Sequence, residues 1–149
     1  MKSVPSLLQA PTAFYVEDQP VNAMLMSALF ERRPGYRLVH ADSGQHARRV
    51  AADMGTPPDL LLLDLRLPDC HGSELLTWLR RLPGWSGLPA VAVTAEMSFH
   101  IADTAFDEVW PKPMNLDSVL GRLDSLLDRT NLPASYRPDG LTASGTAVR

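Results

Sequence analysis

At 149 residues, with 45% hydrophobic and 21% charged side chains, the chain has room for one domain core and none for a second enzyme domain. A formal net charge of -3 gives no electrostatic case for nucleic acid or an anionic membrane, and the single cysteine, Cys70, excludes an internal disulfide framework. No stretch is long and apolar enough to span a membrane, and the patch Val4, Pro5, Leu7 and Leu8 behind Lys2 is too short and broken for a signal-peptide core. A cytoplasmic protein without membrane insertion is the expectation.

Apolar β-rich segments alternate with helical patterns, the signature of βαβ units. Residues 1–11 read as an N-terminal extension. Thr12 to Val16 is a first strand, with Glu17 and Asp18 at its end. From Pro20 to Arg32, Val21, Met24, Leu25, Ala28 and Leu29 recur at helical spacing, and Pro34-Gly35 is a stop. Arg37 to Ala41 is a second strand, followed by a helix capped by Asp42 or Ser43 and running to about Met54. The run Leu60-Leu61-Leu62-Leu63-Asp64 has the continuous apolar character of a central parallel strand buried on both faces. Ser73 is placed to cap a helix through Leu79, and Ala90 to Thr94 is a fourth strand. A short, weakly patterned helix is expected over Phe99 to Ala105, then a brief fifth strand at Val109-Trp110. The last helix, Leu116 to Asp128, carries a clear apolar stripe, and residues 12–130 form the expected domain. Residues 131–149 lack periodicity and read as a flexible tail.

Right-handed crossovers leave a doubly wound parallel sheet as the economical topology. Its carboxyl edge would gather Glu17 and Asp18, Asp64, Thr94 and Lys112. Three carboxylates there repel one another unless a cation sits among them. A hard, oxygen-seeking ion such as magnesium suits them. A threonine hydroxyl and a lysine ammonium are groups that would surround a phosphoryl oxygen, so phosphoryl transfer to Asp64 is indicated.

The chain resembles the receiver domain of bacterial two-component response regulators, single-domain type, from about Ala13 to Asp128. The residues carrying the resemblance are Val16-Glu17-Asp18-Gln19-Pro20-Val21-Asn22, Leu62-Leu63-Asp64-Leu65-Arg66-Leu67-Pro68 with Gly72, Val93-Thr94-Ala95 and Pro111-Lys112-Pro113. The resemblance implies a flavodoxin-like, five-stranded parallel sheet in the order 2-1-3-4-5 with helices on both faces. It implies Asp64 as phospho-acceptor, and Mg2+ or Mn2+ held by Glu17, Asp18, Asp64 and the backbone carbonyl of Arg66. Thr94 and Lys112 would stabilise the phosphoryl group. The partners implied are a sensor histidine kinase or a histidine phosphotransfer protein, and a downstream protein reached by protein-protein contact, with no nucleic acid. The domain would be a signalling phospho-acceptor that assists only its own phosphorylation and dephosphorylation. Arg66 and Glu96, two residues beyond Asp64 and Thr94, flank the path of attacking water in this family and would modulate hydrolysis by pairing across it.

Two departures touch the switch. Val109 stands where the family usually has an aromatic partner for Thr94, and the Thr94 to Lys112 spacing is short by ~4 residues, about one helical turn. Atypical output is therefore expected. The Lys112-Pro113 bond is expected cis, as in relatives. Two alternatives are a receiver-like adaptor independent of phosphorylation, and a haloacid dehalogenase-type hydrolase. The second needs a general-acid Asp two residues after the nucleophile, where Arg66 stands. Cys70 and His71 read as ordinary loop residues rather than as a redox sensor and a phosphodonor, and Met24, Met26 and Leu29 read as helix packing.

Overall fold

In the computed structural model, which describes residues 9–96, 99–101 and 104–128, the elements in chain order are β1 (Thr12–Val16), α1 (Pro20–Glu31), β2 (Arg37–Ala41), α2 (Gly44–Asp53), β3 (Leu60–Asp64), α3 (Gly72–Leu79), β4 (Ala90–Thr94), β5 (Glu108–Pro111) and α4 (Leu116–Leu127). The N-terminal extension up to residue 8 and the tail expected over residues 131–149 lie outside the described residues. All five strands run parallel in one sheet, ordered β2-β1-β3-β4-β5. The winding reverses between β1 and β3, which opens a crevice at their carboxyl ends.

Successive side chains of a strand point to opposite faces, so a run of leucines needs apolar cover on both sides. Leu61 and Leu63 join Phe14 and Val16 against α2 and α3, where Ala47, Ala51, Leu75, Leu76 and Leu79 are buried. Leu60 and Leu62 join Ala13 and Tyr15 against α1 and α4, with Met26, Leu29, Phe30, Val119, Leu120 and Leu123. Each fully buried leucine contributes about 1.5–3 kcal/mol. That preference is why Asp64, which follows four of them, emerges at the crevice and nowhere else.

The helix ends follow local chemistry. Ser43 caps α2 by accepting from the His46 amide at 3.0 Å, and Asn115 caps α4 by accepting from the Ser118 amide at 3.0 Å. Asp69, in the loop after β3, accepts from the Gly44 and Gln45 amides at 2.8 Å each and ties that loop to the start of α2. At the far ends of α1 and α4, Arg33 makes a bidentate pair with Asp124 at 2.9 Å and 2.9 Å, and the Tyr36 hydroxyl donates to the same carboxylate at 2.7 Å.

Three local expectations are corrected. The N-cap of α3 is His71, not Ser73. His71 Nδ1 accepts from the Ser73 amide at 3.2 Å, while Glu74 accepts from the His71 amide at 3.2 Å. In α1 the buried face is Met26, Leu29 and Phe30, whereas Val21 and Met24 are 67% and 69% exposed and Ala28 faces solvent. Apolar residues lie on nearly every side of this helix, so periodicity alone picks the wrong stripe. Among the described residues no α-helix lies between β4 and β5. Instead the Thr104 amide donates to the Ile101 carbonyl at 2.9 Å, the Thr104 hydroxyl accepts from the Phe106 amide at 3.2 Å, and Phe99 meets Phe106 edge to face at 5.8 Å. Side-chain bonds of this kind compete with helix formation. The Arg80 guanidinium fastens the segment's end, donating to the carbonyls of Ser86, Leu88 and Ala105.

Candidate functional site

The site begins with Gly72, where a Cβ would lie 2.4 Å from the Asp64 carbonyl oxygen and 2.9 Å from the Leu65 Cα. The Gly72 amide donates to the Leu65 carbonyl at 2.8 Å. Only a residue without a side chain lets α3 start this close to β3, and that approach fixes the loop from Asp64 to His71 beside the crevice.

Asp64 is 4% exposed. Its Oδ1 accepts from the Arg66 amide at 3.1 Å, and its Oδ2 accepts from Lys112 Nζ at 3.0 Å. Lys112 also reaches Glu17 Oε1 at 2.8 Å, so one ammonium bridges two buried carboxylates. β5 delivers it: Pro111 pairs with Thr94 across β4 and β5, the Lys112 amide donates to the Thr94 carbonyl at 2.9 Å, and the Lys112-Pro113 bond is cis, as expected. Burial raises the Asp64 pKa to about 6 against the pull of Lys112, with Glu17 adding to the rise. For Lys112 burial works downward, and the two carboxylates outweigh it and raise its pKa.

Glu17 is wholly buried and held at every polar atom. Its Oε1 accepts from the Tyr15 hydroxyl at 3.1 Å and its Oε2 from the Gln19 amide at 3.1 Å. Its amide donates to the Ala41 carbonyl at 3.0 Å, and His40 Nε2 donates to its carbonyl at 2.8 Å. One oxygen each from Glu17, Asp18 and Asp64 lie within 4.8 Å of one another. Three carboxylates against one ammonium leave two uncompensated negative charges, and an all-oxygen donor set fits a hard divalent cation. α1 starts at Pro20 behind the N-cap Gln19, with no side-chain cap hydrogen bond.

Thr94 is 3% exposed, and its Oγ1 accepts from the Glu96 amide at 2.9 Å, which leaves the hydroxyl proton free to donate elsewhere. Glu96 Oε1 sits 3.6 Å from Arg66 Nε and 3.9 Å from His71 Nε2 and has no hydrogen-bond partner. Asp18, Asp64, Arg66, Thr94, Glu96 and Lys112 all line one open cleft of about 540 Å³. Val109 is not at the cleft; it is half-buried against the core on the α2 and α3 side, while Trp110 is buried on the opposite face with its indole donating to Glu108 at 3.0 Å. Burial pushes the Cys70 thiol up, the wrong direction for a reactive cysteine.

Sequence reasoning missed Tyr15, His40 and Asp69. For Tyr15 a signal existed: a phenol two residues before a strand-end carboxylate shares its face of the strand. His40 and Asp69 act across the fold and have no local signature.

A family model described as response regulator receiver domain matches residues 13–124. The transcriptional regulatory protein TcrA of Mycobacterium tuberculosis is 35% identical over 131 residues, covering 86% of this chain and 49% of its own length. The transcriptional regulatory protein KdpE of the same organism is 34% identical over 104 residues, covering 67% of this chain and 44% of its own length. The chain thus spans about half the length of the regulators it matches. Among solved structures, the receiver domain of a sensor histidine kinase from Pseudomonas aeruginosa, described with a magnesium ion coordinated in its active site cleft, superposes with a TM-score of 0.67. That likeness is at 24% identity and covers 80% of this chain and 98% of the other. Among the described residues, no helix is long and apolar enough to cross a membrane.

Proposed function

This chain belongs to the response regulator receiver domain family of two-component systems, and on that premise we propose that its domain, residues 12–130, takes a phosphoryl group from a histidine kinase or histidine phosphotransfer protein onto Asp64. The observation that carries the reading is Lys112 Nζ, placed 3.0 Å from Asp64 and 2.8 Å from Glu17 at the mouth of a cleft that also holds the Thr94 hydroxyl.

An Asp64 carboxylate oxygen forms the new bond to phosphorus as the donor's P–N bond breaks and its electron pair returns to the imidazole. Lys112 then turns from the carboxylate to the phosphoryl oxygens, and Thr94 donates its free proton to another of them. Glu17, Asp18, Asp64 and the Arg66 carbonyl would hold Mg2+ or Mn2+, which supplies charge neutralisation at the phosphoryl oxygens when bound. Val21 and Met24, both exposed on the first turns of α1 near the acidic pair, offer the donor an apolar footing.

Arg66 and Glu96 stand across the cleft as an opposed pair and, with His71, crowd the approach of water to the acyl phosphate. Val109, half-buried and aliphatic, has no ring to swing between an inward and an outward position, so output runs through a different contact with a downstream protein. The chain is a signalling phospho-acceptor, not an enzyme acting on other substrates.

Intact mass after incubation with a small phosphodonor and magnesium tests this reading. Wild type gains one phosphoryl group and Asp64→Asn gains none; no gain by wild type favours an adaptor that works without phosphorylation. Followed after donor removal, the Arg66→Ala, Glu96→Ala double variant loses the added mass faster than wild type, and equal decay removes the hydrolysis role of the pair.

A further inference from the structure

Tyr15 lies on β1 with its side chain on the face that packs on α1 and α4, and Glu17, two residues on and just past the strand's end, turns its carboxylate to the same side to meet the Tyr15 hydroxyl. Tyr15 is fully buried there. A phenol in such a place is costly unless its hydroxyl finds an acceptor, and the acceptor is Glu17 Oε1 at 3.1 Å. The same oxygen takes Lys112 at 2.8 Å, and Oε2 takes the Gln19 amide at 3.1 Å. An ionised carboxylate offers about four lone-pair positions. Three donors leave one position open, and a Glu17 carboxylate oxygen lies within 4.8 Å of oxygens of Asp18 and Asp64.

We propose that Tyr15 is a positioning residue for the divalent cation: its hydroxyl locks the Glu17 carboxylate so that the remaining lone pair faces the acidic cluster. A glutamate carries one more side-chain torsion than an aspartate, and the phenol removes that freedom. The clamp extends to the backbone. The His40 ring packs against the Tyr15 ring at 5.8 Å between centroids, and the same histidine holds the Glu17 carbonyl at 2.8 Å. Outer hydrogen bonds of this kind orient a ligating carboxylate, and losing one typically weakens metal affinity by roughly 10–100-fold.

This inference rests on the magnesium reading above, and one calorimetric titration separates the two. Magnesium chloride is titrated into the full chain as wild type, Tyr15→Phe, Glu17→Ala and the double variant, with thermal midpoints measured alongside. Tyr15→Phe is expected to raise the magnesium Kd roughly tenfold. In the Glu17→Ala background the same substitution leaves Kd unchanged, because Tyr15 acts only through that carboxylate. Glu17→Asp, which draws the carboxylate back by one methylene, serves as a second background with the same expected absence of effect, should Glu17→Ala not fold. Tyr15→Phe binding magnesium like wild type overturns the inference, as does an equal loss in both backgrounds, the mark of a merely structural role. Wild type that binds no magnesium overturns the metal reading and this inference together.

Discussion

Two aspartates in this molecule each receive a cationic partner within 3.0 Å, and their pKa values move in opposite directions. Asp124, partly exposed between α1 and α4, is held below the ordinary carboxylate range, first by the Arg33 guanidinium and also by the Tyr36 hydroxyl, with burial opposing. Asp64, buried at the crevice, is raised to about 6 although Lys112 touches it, because burial outweighs the pair and Glu17 lies beside it. The difference separates a structural clasp from a reactive site. In the clasp, a partly solvated carboxylate faces an opposite charge; at the crevice, negative charge is in excess and two of its three carboxylates are buried, a state that stabilises an incoming cation or phosphoryl group rather than the fold itself.

The widest separation between the two regions should come from removing the lysine. Lys112→Met leaves Glu17 and Asp64 buried without their counter-charge, and stranding a buried charge costs about 3–5 kcal/mol. Urea unfolding of metal-free protein at pH 7.5 is expected to show that loss, and added magnesium to restore part of it. A variant as stable as wild type would mean that the two carboxylates do not depend on Lys112.

Asp64→Asn works the other way. A carboxyl whose folded pKa is raised weakens the folded state once it ionises, so the penalty is absent below the unfolded pKa near 4, grows through the window up to about 6, and is complete above it. The Asn variant, neutral throughout, is therefore expected to be more stable than wild type by on the order of 2 kcal/mol at pH 7.5 in chelator, and equal to it near pH 3.5. Equal stability at both pH values would show that burial does not govern Asp64.

What could be read in advance follows the same division between local and distributed causes. Leu60 to Asp64 announces a central strand and its terminal charge, because one run of apolar residues decides its burial, and the acidic pair, Thr94 and Lys112 follow as ends of other strands. The inner face of α1 was illegible, since Val21, Met24 and Leu25 are as apolar as Met26, Leu29 and Phe30, and only the sheet chooses between them. The segment before β5 misled for a related reason. Its described residues are held by Thr104, the Phe99 and Phe106 contact and the distant Arg80, none of which repeats at a helical period. Tyr15 was hidden in plain view: as a strand residue it is an ordinary β-former, and its meaning appears only when Glu17 is seen to have no solvent.

The smallest effect belongs to the clasp, and its sign is opposite to that at the crevice. Asp124 has a depressed folded pKa, so its contribution is present above the unfolded pKa near 4 and disappears as pH falls through the lower folded value. Asp124→Asn removes the charge and one of the two oxygens that hold the Arg33 fork, leaving a single acceptor for Arg33 and Tyr36 to share, in a region open to water where such pairs contribute up to about 1 kcal/mol. Stability lost by this variant at pH 7.5 should therefore be modest, reduced further by salt, and should shrink as the pH is lowered below 4, while magnesium affinity stays that of wild type. Plotted against pH, the difference from wild type would fall for Asp124→Asn where it rises for Asp64→Asn. If both variants instead moved in the same direction, the opposed electrostatics of the two regions would be wrong, and the crevice would be one more clasp.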